Sequence, residues 1–156
     1  MNDNIIRVVK KLKKLNIPYR IIELGGTGRT SQDVARLTNI NLREVCKTLI
    51  VRADNDTMAV VILPGPFKID NKKLKELLKT KNTRFLNEDE LKQNTPFSPG
   101  EVCPIIIEKI PIYIDKRVFD TKKVNFGSGD LYFGIEINSN DINKCIKGEV
   151  VDIAVE

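Results

Sequence analysis

The chain has 156 residues, 41% hydrophobic and 30% charged, which suits one domain with a core of its own. It contains no histidine, which excludes Ser-His-Asp and Cys-His catalysis, H-E-x-x-H zinc hydrolysis and histidine phosphotransfer. The 26 Lys and Arg against 21 Asp and Glu give a net charge of +5, a surplus that permits a polyanionic partner without proving one.

Cys46, Cys103 and Cys145 stand far apart with no C-x-x-C pair, against a disulfide framework and against a zinc knot. No stretch approaches the roughly 18 to 20 apolar residues of a membrane span. The N-terminal MNDNIIRVVKKLKKL lacks the order of charge, apolar block and small residues found in a signal peptide. A cytoplasmic protein without a membrane partner is expected.

Ile5, Val8, Val9, Leu12 and Leu15 form one stripe of an amphipathic helix, which Asn16-Ile17-Pro18 ends. A strand from Tyr19 to Leu24 leads into a glycine-rich loop. Thr30 or Ser31 then caps a helix carrying Val34, Ala35 and Leu37. Asn41 with Glu44 reads as a capping box on a very short helix. Strands over Thr48 to Ala53 and Met58 to Leu63 flank Asp54-Asn55-Asp56, predicting an antiparallel hairpin.

Asp70 caps a helix carrying Leu74, Leu77 and Leu78, and Asn87 with Glu90 suggests a second capping box. A loop runs from Thr95 to Pro104. Strands are expected at Ile105 to Ile107, Ile112 to Ile114, Lys123 to Phe126 and Leu131 to Ile137, with a turn at Gly127-Ser128-Gly129-Asp130. A helix around Asp141 to Ile146 and a strand from Val150 to Val155 complete the pattern. The order lacks a βαβα rhythm, so the expected fold is α+β: a single domain, residues 1–156, built on a mixed, mostly antiparallel, twisted, barrel-like sheet flanked by helices.

Glu44-Val45-Cys46-Lys47-Thr48-Leu49-Ile50-Val51, where a short helix passes into a strand, resembles the signature of the YbaK-type aminoacyl-tRNA deacylases. That family is related to the editing domain of bacterial prolyl-tRNA synthetases. Lys68 to Leu74 resembles the lead-in to its middle helix, and Gly100-Glu101-Val102-Cys103-Pro104 its G-x-x-x-P loop. Ile112 to Asp115, Gly127-Ser128-Gly129, Gly134 to Ile137 and Val151 to Ala154 follow its C-terminal pattern in order. Three positions depart from it. Gly134 stands where cysteinyl-tRNA deacylases of the family carry an acid, Glu101 replaces a common glycine, and Cys103 a small hydroxyl residue.

The resemblance implies that Lys47 is the catalytic residue, an ammonium holding the 3′-terminal phosphate or carbonyl of aminoacyl-tRNA. Sequence context alone favours a strand-end lysine that reaches for water, and the resemblance reverses that reading. Gly100, Cys103 and Pro104 would shape the amino-acid pocket, with Cys103 lining it and not acting as a nucleophile, since no histidine or adjacent cation would activate it. Gly127, Ser128 and Gly129 would present backbone N–H groups to the terminal adenosine, unless they form only a hairpin turn. Thr30 sits at the implied cleft rim but also reads as a helix cap. Asp115 reads as a turn former.

The implied function is trans-editing: hydrolysis of the ester in mischarged aminoacyl-tRNA, with a small amino acid on tRNA(Pro) as first substrate and no metal or organic cofactor. An aminoacyl ester is activated, so oriented water and a stabilised oxyanion suffice without a strong protein base; the general base stays open, with the terminal ribose 2′-hydroxyl a candidate by family analogy. The lysine runs Lys10 to Lys14 and Lys68 to Lys81 would meet the acceptor stem, and a synthetase is a possible partner. The alternative is a non-catalytic tRNA- or synthetase-binding module on the same fold. With 6% aromatics and no Trp, an unrelated stacking platform for nucleic acid is disfavoured.

Overall fold

The computed structural model describes residues Met1–Glu156. Helix α1 (Asp3–Lys14) is capped by Asn2, whose side chain accepts from the Ile5 N–H at 3.1 Å, and it buries Ile5, Val8 and Leu12 completely. Asn16, in the left-handed region at φ 57°, turns the chain into β1 (Tyr19–Glu23). This strand pairs antiparallel with β8 (Phe133–Asn138), which pairs antiparallel with β7 (Lys123–Gly127). The period of two sorts this three-stranded sheet cleanly. Val124, Phe126, Ile135 and Ile137 join α1 in the main core, whereas Asn125 and Glu136, opposite each other in register, face the other way.

A five-stranded sheet in the order β5-β2-β3-β6-β9 forms the second layer. β2 (Cys46–Ala53) and β3 (Met58–Pro64) are the expected hairpin, with β5 (Thr83–Phe85) at one side. β6 (Ile112–Asp115) and β9 (Gly148–Val151) continue the sheet as parallel pairs. β3 is apolar from Ala59 to Leu63 because both its faces are buried. Val60 and Ile62 enter the main core. Val61 and Leu63 join a smaller cluster with Leu74 of α3 (Asn71–Leu78). β4 (Lys68–Ile69) and β10 (Ala154–Val155) make a two-stranded ribbon. The mixed, mainly antiparallel α+β architecture is as expected, divided among three hydrogen-bonded sheets.

Caps formed at Thr30 for α2 (Ser31–Thr38), at Asp70 for α3 and, as a full capping box, at Asn87 and Glu90 for α4 (Glu88–Asn94). Three details differ from expectation. Asn41 accepts from the Arg43 N–H at 2.9 Å on a 3-10 turn, not as a reciprocal box with Glu44. Ile105 to Ile107 is not a strand: Pro104 opens a 3-10 turn over Pro104–Ile106, and Ile105 is wholly buried within it.

The C-terminal strand is cut in two at Asp152-Ile153, and the cause is Asp115. Its fully buried carboxylate accepts from the N–H groups of Ile153 and Ala154 at 2.9 Å each, and pairs with Arg117 at 3.1 Å. Those bonds rotate the backbone out of β9 and into the ribbon with β4. A short helix α5 (Ile142–Cys145) precedes β9, and no helix is long and apolar enough to cross a membrane. Asp115→Ala strands the Ile153 and Ala154 donors and leaves Arg117 with one partner fewer, so it should cost about 3–5 kcal/mol. Chemical denaturation measures this, and a loss below about 1 kcal/mol would contradict the assigned role.

Candidate functional site

β3 flanks β2 from Cys46 to Arg52, but β5 reaches its other side only from Val51 to Ala53. The outer edge of β2 at Lys47 and Thr48 therefore has no partner strand. β7 is likewise an edge strand of the three-stranded sheet, the other being β1. The two edges touch at a single parallel bridge, Val45 to Asn125, and the space beside it is a cleft of about 320 Å³.

Glycines let other segments close in on this cleft. A Cβ on Gly127 would lie 2.5 Å from the Val102 carbonyl oxygen, so the 100–102 loop can rest on β7 only where no side chain stands. Gly100 itself has φ +84°, and a Cβ there would sit 3.0 Å from Arg29 Cα. The adjoining segment, Gly28 to Thr30, is tied down by the Gly28 N–H donating to the Leu131 carbonyl at 2.8 Å. Thr30 caps α2 by accepting from the Asp33 N–H at 3.1 Å and also lines the cleft.

Charge in the cleft has one sign. Its 16 lining residues include Arg29 and Lys47 and no Asp or Glu. Lys47 is half-buried; burial first, and then the positive charge of Lys68, push its pKa below the ordinary lysine value. No carboxylate offsets either effect, so Lys47 has no counter-charge among the residues that line the cleft. Cys46 also lines the cleft, but burial pushes its thiol up to about 12, and that of Cys103 likewise, so neither is a thiolate at neutral pH. No group of three or more His, Cys, Asp or Glu is placed to hold a metal ion.

Of the residues singled out in the sequence, the fold brings Thr30, Lys47, Gly100 and Gly127 together around the cleft. Cys103 and Pro104 are instead buried behind it, Cys103 in the main core with no exposure at all. Ser128 is equally buried: its hydroxyl donates to the Phe133 carbonyl at 2.6 Å and accepts from the Asp130 N–H at 3.2 Å. Gly129 has φ +89°, and its carbonyl accepts from the Asn2 side chain at 2.6 Å, which docks this turn on α1. Arg29, Thr48, Val102 and Asn125 line the cleft without having been expected there. Asn125 did carry a signal, as a polar residue between Val124 and Phe126 that marks the non-core face of its strand.

This fold and its cationic, carboxylate-free cleft between two sheet edges define an α+β domain of the YbaK type. The family model described as the aminoacyl-tRNA editing domain matches residues 26–145, and the chain belongs to that family. Among curated relatives it is 32% identical over 90 residues to a proline–tRNA ligase of Heliobacterium modesticaldum (strain ATCC 51547 / Ice1), covering 58% of this chain and 16% of the ligase. It is 28% identical over 131 residues to a proline–tRNA ligase of Staphylococcus aureus (strain bovine RF122 / ET3-1), covering 83% of this chain and 22% of that protein. The chain thus spans about a fifth of the length of these relatives. A crystal structure described as a candidate trans-editing enzyme for prolyl tRNA synthetase superposes with a TM-score of 0.85 at 18% identity, covering 100% of this chain and 99% of the other.

Removing the Lys68 charge should raise the Lys47 pKa, because one of the two causes of its depression disappears. Carbon-13 NMR of the methylated lysines, with Lys47 assigned by its loss in Lys47→Arg, reads the midpoint directly. It should lie below that of free lysine in the wild type and move up in Lys68→Ala. A midpoint at the ordinary value, unmoved by Lys68→Ala, would contradict the desolvated, unpaired setting.

Proposed function

We propose that this chain is an editing domain, residues 1–156, that hydrolyses the ester of mischarged aminoacyl-tRNA, with a small amino acid on tRNA(Pro) as its substrate. The observation that carries the reading is Lys47, a half-buried cation with no carboxylate near it, in the cleft of a chain that belongs to the editing-domain family. In this reading Lys47 and Arg29 hold the phosphate and carbonyl of the acylated 3′ end, and Gly100 and Gly127 keep the walls close. Water attacks the ester carbonyl, the tetrahedral oxyanion is stabilised by the cationic cleft, and the 3′-oxygen leaves with a proton. The chain has no histidine, the cleft no carboxylate, and the Cys46 thiol stays protonated. This supports a proton relay through the substrate's own 2′-hydroxyl and water.

The tRNA(Pro) assignment draws on the proline–tRNA ligases among the relatives and on the candidate trans-editing enzyme with the same fold. A synthetase that delivers the mischarged tRNA is the natural protein partner. For the acceptor stem, the fold favours one of the two lysine runs. α1 covers the core side of the three-stranded sheet, opposite to Asn125, and its Lys11 is spent on the Ile105 carbonyl at 2.6 Å. Lys72, Lys75, Lys79 and Lys81 instead gather on an open surface along α3, and Lys68 beside them is close enough to act on Lys47. A phosphate backbone lying along α3 would reach Lys47 with its 3′ end.

The test is release of labelled amino acid from tRNA(Pro) charged with Ala, Ser, Thr or Cys, with Pro-tRNA(Pro) as control. Wild type should release at least one small amino acid selectively, and Lys47→Met should lower that rate roughly 10²–10³-fold. Thermal stability of Lys47→Met should be unchanged or higher, since the lost cation was desolvated without a partner. Tight binding of charged tRNA with no release from any of them would sink the hydrolase and leave a binding module.

A further inference from the structure

The fold leaves two polar side chains in the cleft unsatisfied. Asn125 is 2% exposed, lines the cleft from the non-core face of β7, and neither its Oδ1 nor its Nδ2 has a hydrogen-bond partner. Thr48, on the facing edge of β2, lines the same space with its Oγ1 also buried and unpartnered. Other buried polar side chains in this chain find partners; outside the cleft, Arg52 Nε alone lacks a hydrogen bond, and it lies 3.2 Å from the Glu90 carboxylate. Ser128 both donates and accepts within its turn, and Asp115 takes three backbone N–H groups and Arg117. An unpaired carboxamide is unusual in a native interior, and two such side chains meeting at one cleft point to a ligand that completes them.

We propose that Asn125 and Thr48 form the specificity end of the cleft and receive a hydroxyl-bearing amino-acid side chain, so that seryl or threonyl esters are removed in preference to alanyl esters. This rests on the deacylase reading and adds the substrate class to it. The match is one of donors and acceptors. An ester carbonyl only accepts and an α-ammonium only donates, so each would satisfy one half of the Asn125 amide. A hydroxyl does both: its oxygen accepts from Asn125 Nδ2, and its hydrogen goes to Asn125 Oδ1 or Thr48 Oγ1. An alanyl methyl placed there would leave every one of these atoms unpaired, and a site built to bond a hydroxyl discriminates strongly against its absence. A ribose hydroxyl has the same chemistry, but it is common to every aminoacyl-tRNA and would give no preference among amino acids.

Single-turnover release is measured from tRNA(Pro) carrying Ser, Thr or Ala, with wild type, Asn125→Leu and Thr48→Val, alongside thermal unfolding of each. Wild type should release the better of Ser and Thr at least about 100-fold faster than Ala, and Asn125→Leu should bring that ratio to within about 10-fold. Its melting temperature should hold or rise, because an unpaired buried amide has been removed. Thr48→Val, nearly identical in shape, should narrow the ratio in the same direction and serves as the reading if Asn125→Leu does not fold. Alanyl release as fast as seryl and threonyl by wild type would overturn the inference while leaving the deacylase intact. An equal slowing of all three esters by Asn125→Leu would also overturn it, placing the amide on the shared ribose. Release of none of them by wild type would remove the deacylase reading and this inference with it.

Discussion

Two sheet edges that touch at one bridge and do not zip together are what the site depends on. An unpaired strand edge offers a row of free N–H and C=O groups and ordinarily has to be covered. Here the outer edge of β2 and the edge of β7 face one another, joined only between Val45 and Asn125. The 100–102 loop rests directly on β7, because the Val102 carbonyl occupies the position a side chain of residue 127 would take. The sheets do not join into one continuous surface, and the space beside the bridge is the cleft. The cores on either side are complete without it, so the cleft walls are held by elements whose stability has other sources.

The electrostatics follow from where the acids went. Glu136, the acid nearest Asn125 in register, is occupied by Arg20 at 3.1 Å and Lys123 at 3.6 Å. Asp115 and Asp152 are committed to Arg117 at 3.1 and 2.9 Å. With these carboxylates engaged elsewhere, the field inside the cleft is set by Lys47 and Arg29, and partial burial keeps it from being damped by water. Such a site suits the hydrolysis of an already activated ester, where charge stabilisation and orientation supply most of the barrier reduction. It is poorly equipped for amides, whose leaving nitrogen needs a strong acid and which this histidine-free chain does not provide.

Much of this was legible in the residues because the signals were local. The caps at Thr30, Asp70 and Asn87, the β2–β3 hairpin and the α1 stripe each depend on spacing within a few positions. What escaped depended on distant partners. Nothing near Val150 to Val155 announces that a carboxylate from residue 115 will divide that strand, and Ile105 to Ile107 has a strand's composition until Pro104 and core packing bend it into a turn. At the site, the family motif points to Lys47 and gives no sign that its neighbour Thr48 lines the same cleft, because adjacent strand residues ordinarily point to opposite faces. Cys103 and Pro104 belong to a motif whose glycine reaches the cleft while its far end turns into the core. Motif membership marks a segment; which of its atoms meets a ligand is decided by the close approaches of the folded chain.

The central claim is that the cleft between β2 and β7 binds the acylated end of tRNA, and a non-hydrolysable mimic tests it without relying on turnover. Amide-linked 3′-seryl-amino-3′-deoxyadenosine, titrated into nitrogen-15-labelled protein, should shift backbone signals around Gly28 to Thr30, Cys46 to Leu49, Gly100 to Val102 and Asn125 to Gly127, and should lose most of its effect in Lys47→Met. Shifts confined to the lysines of α3, or to the α1 side of the three-stranded sheet, would contradict the account. So would saturation of the cleft signals that is indifferent to Lys47.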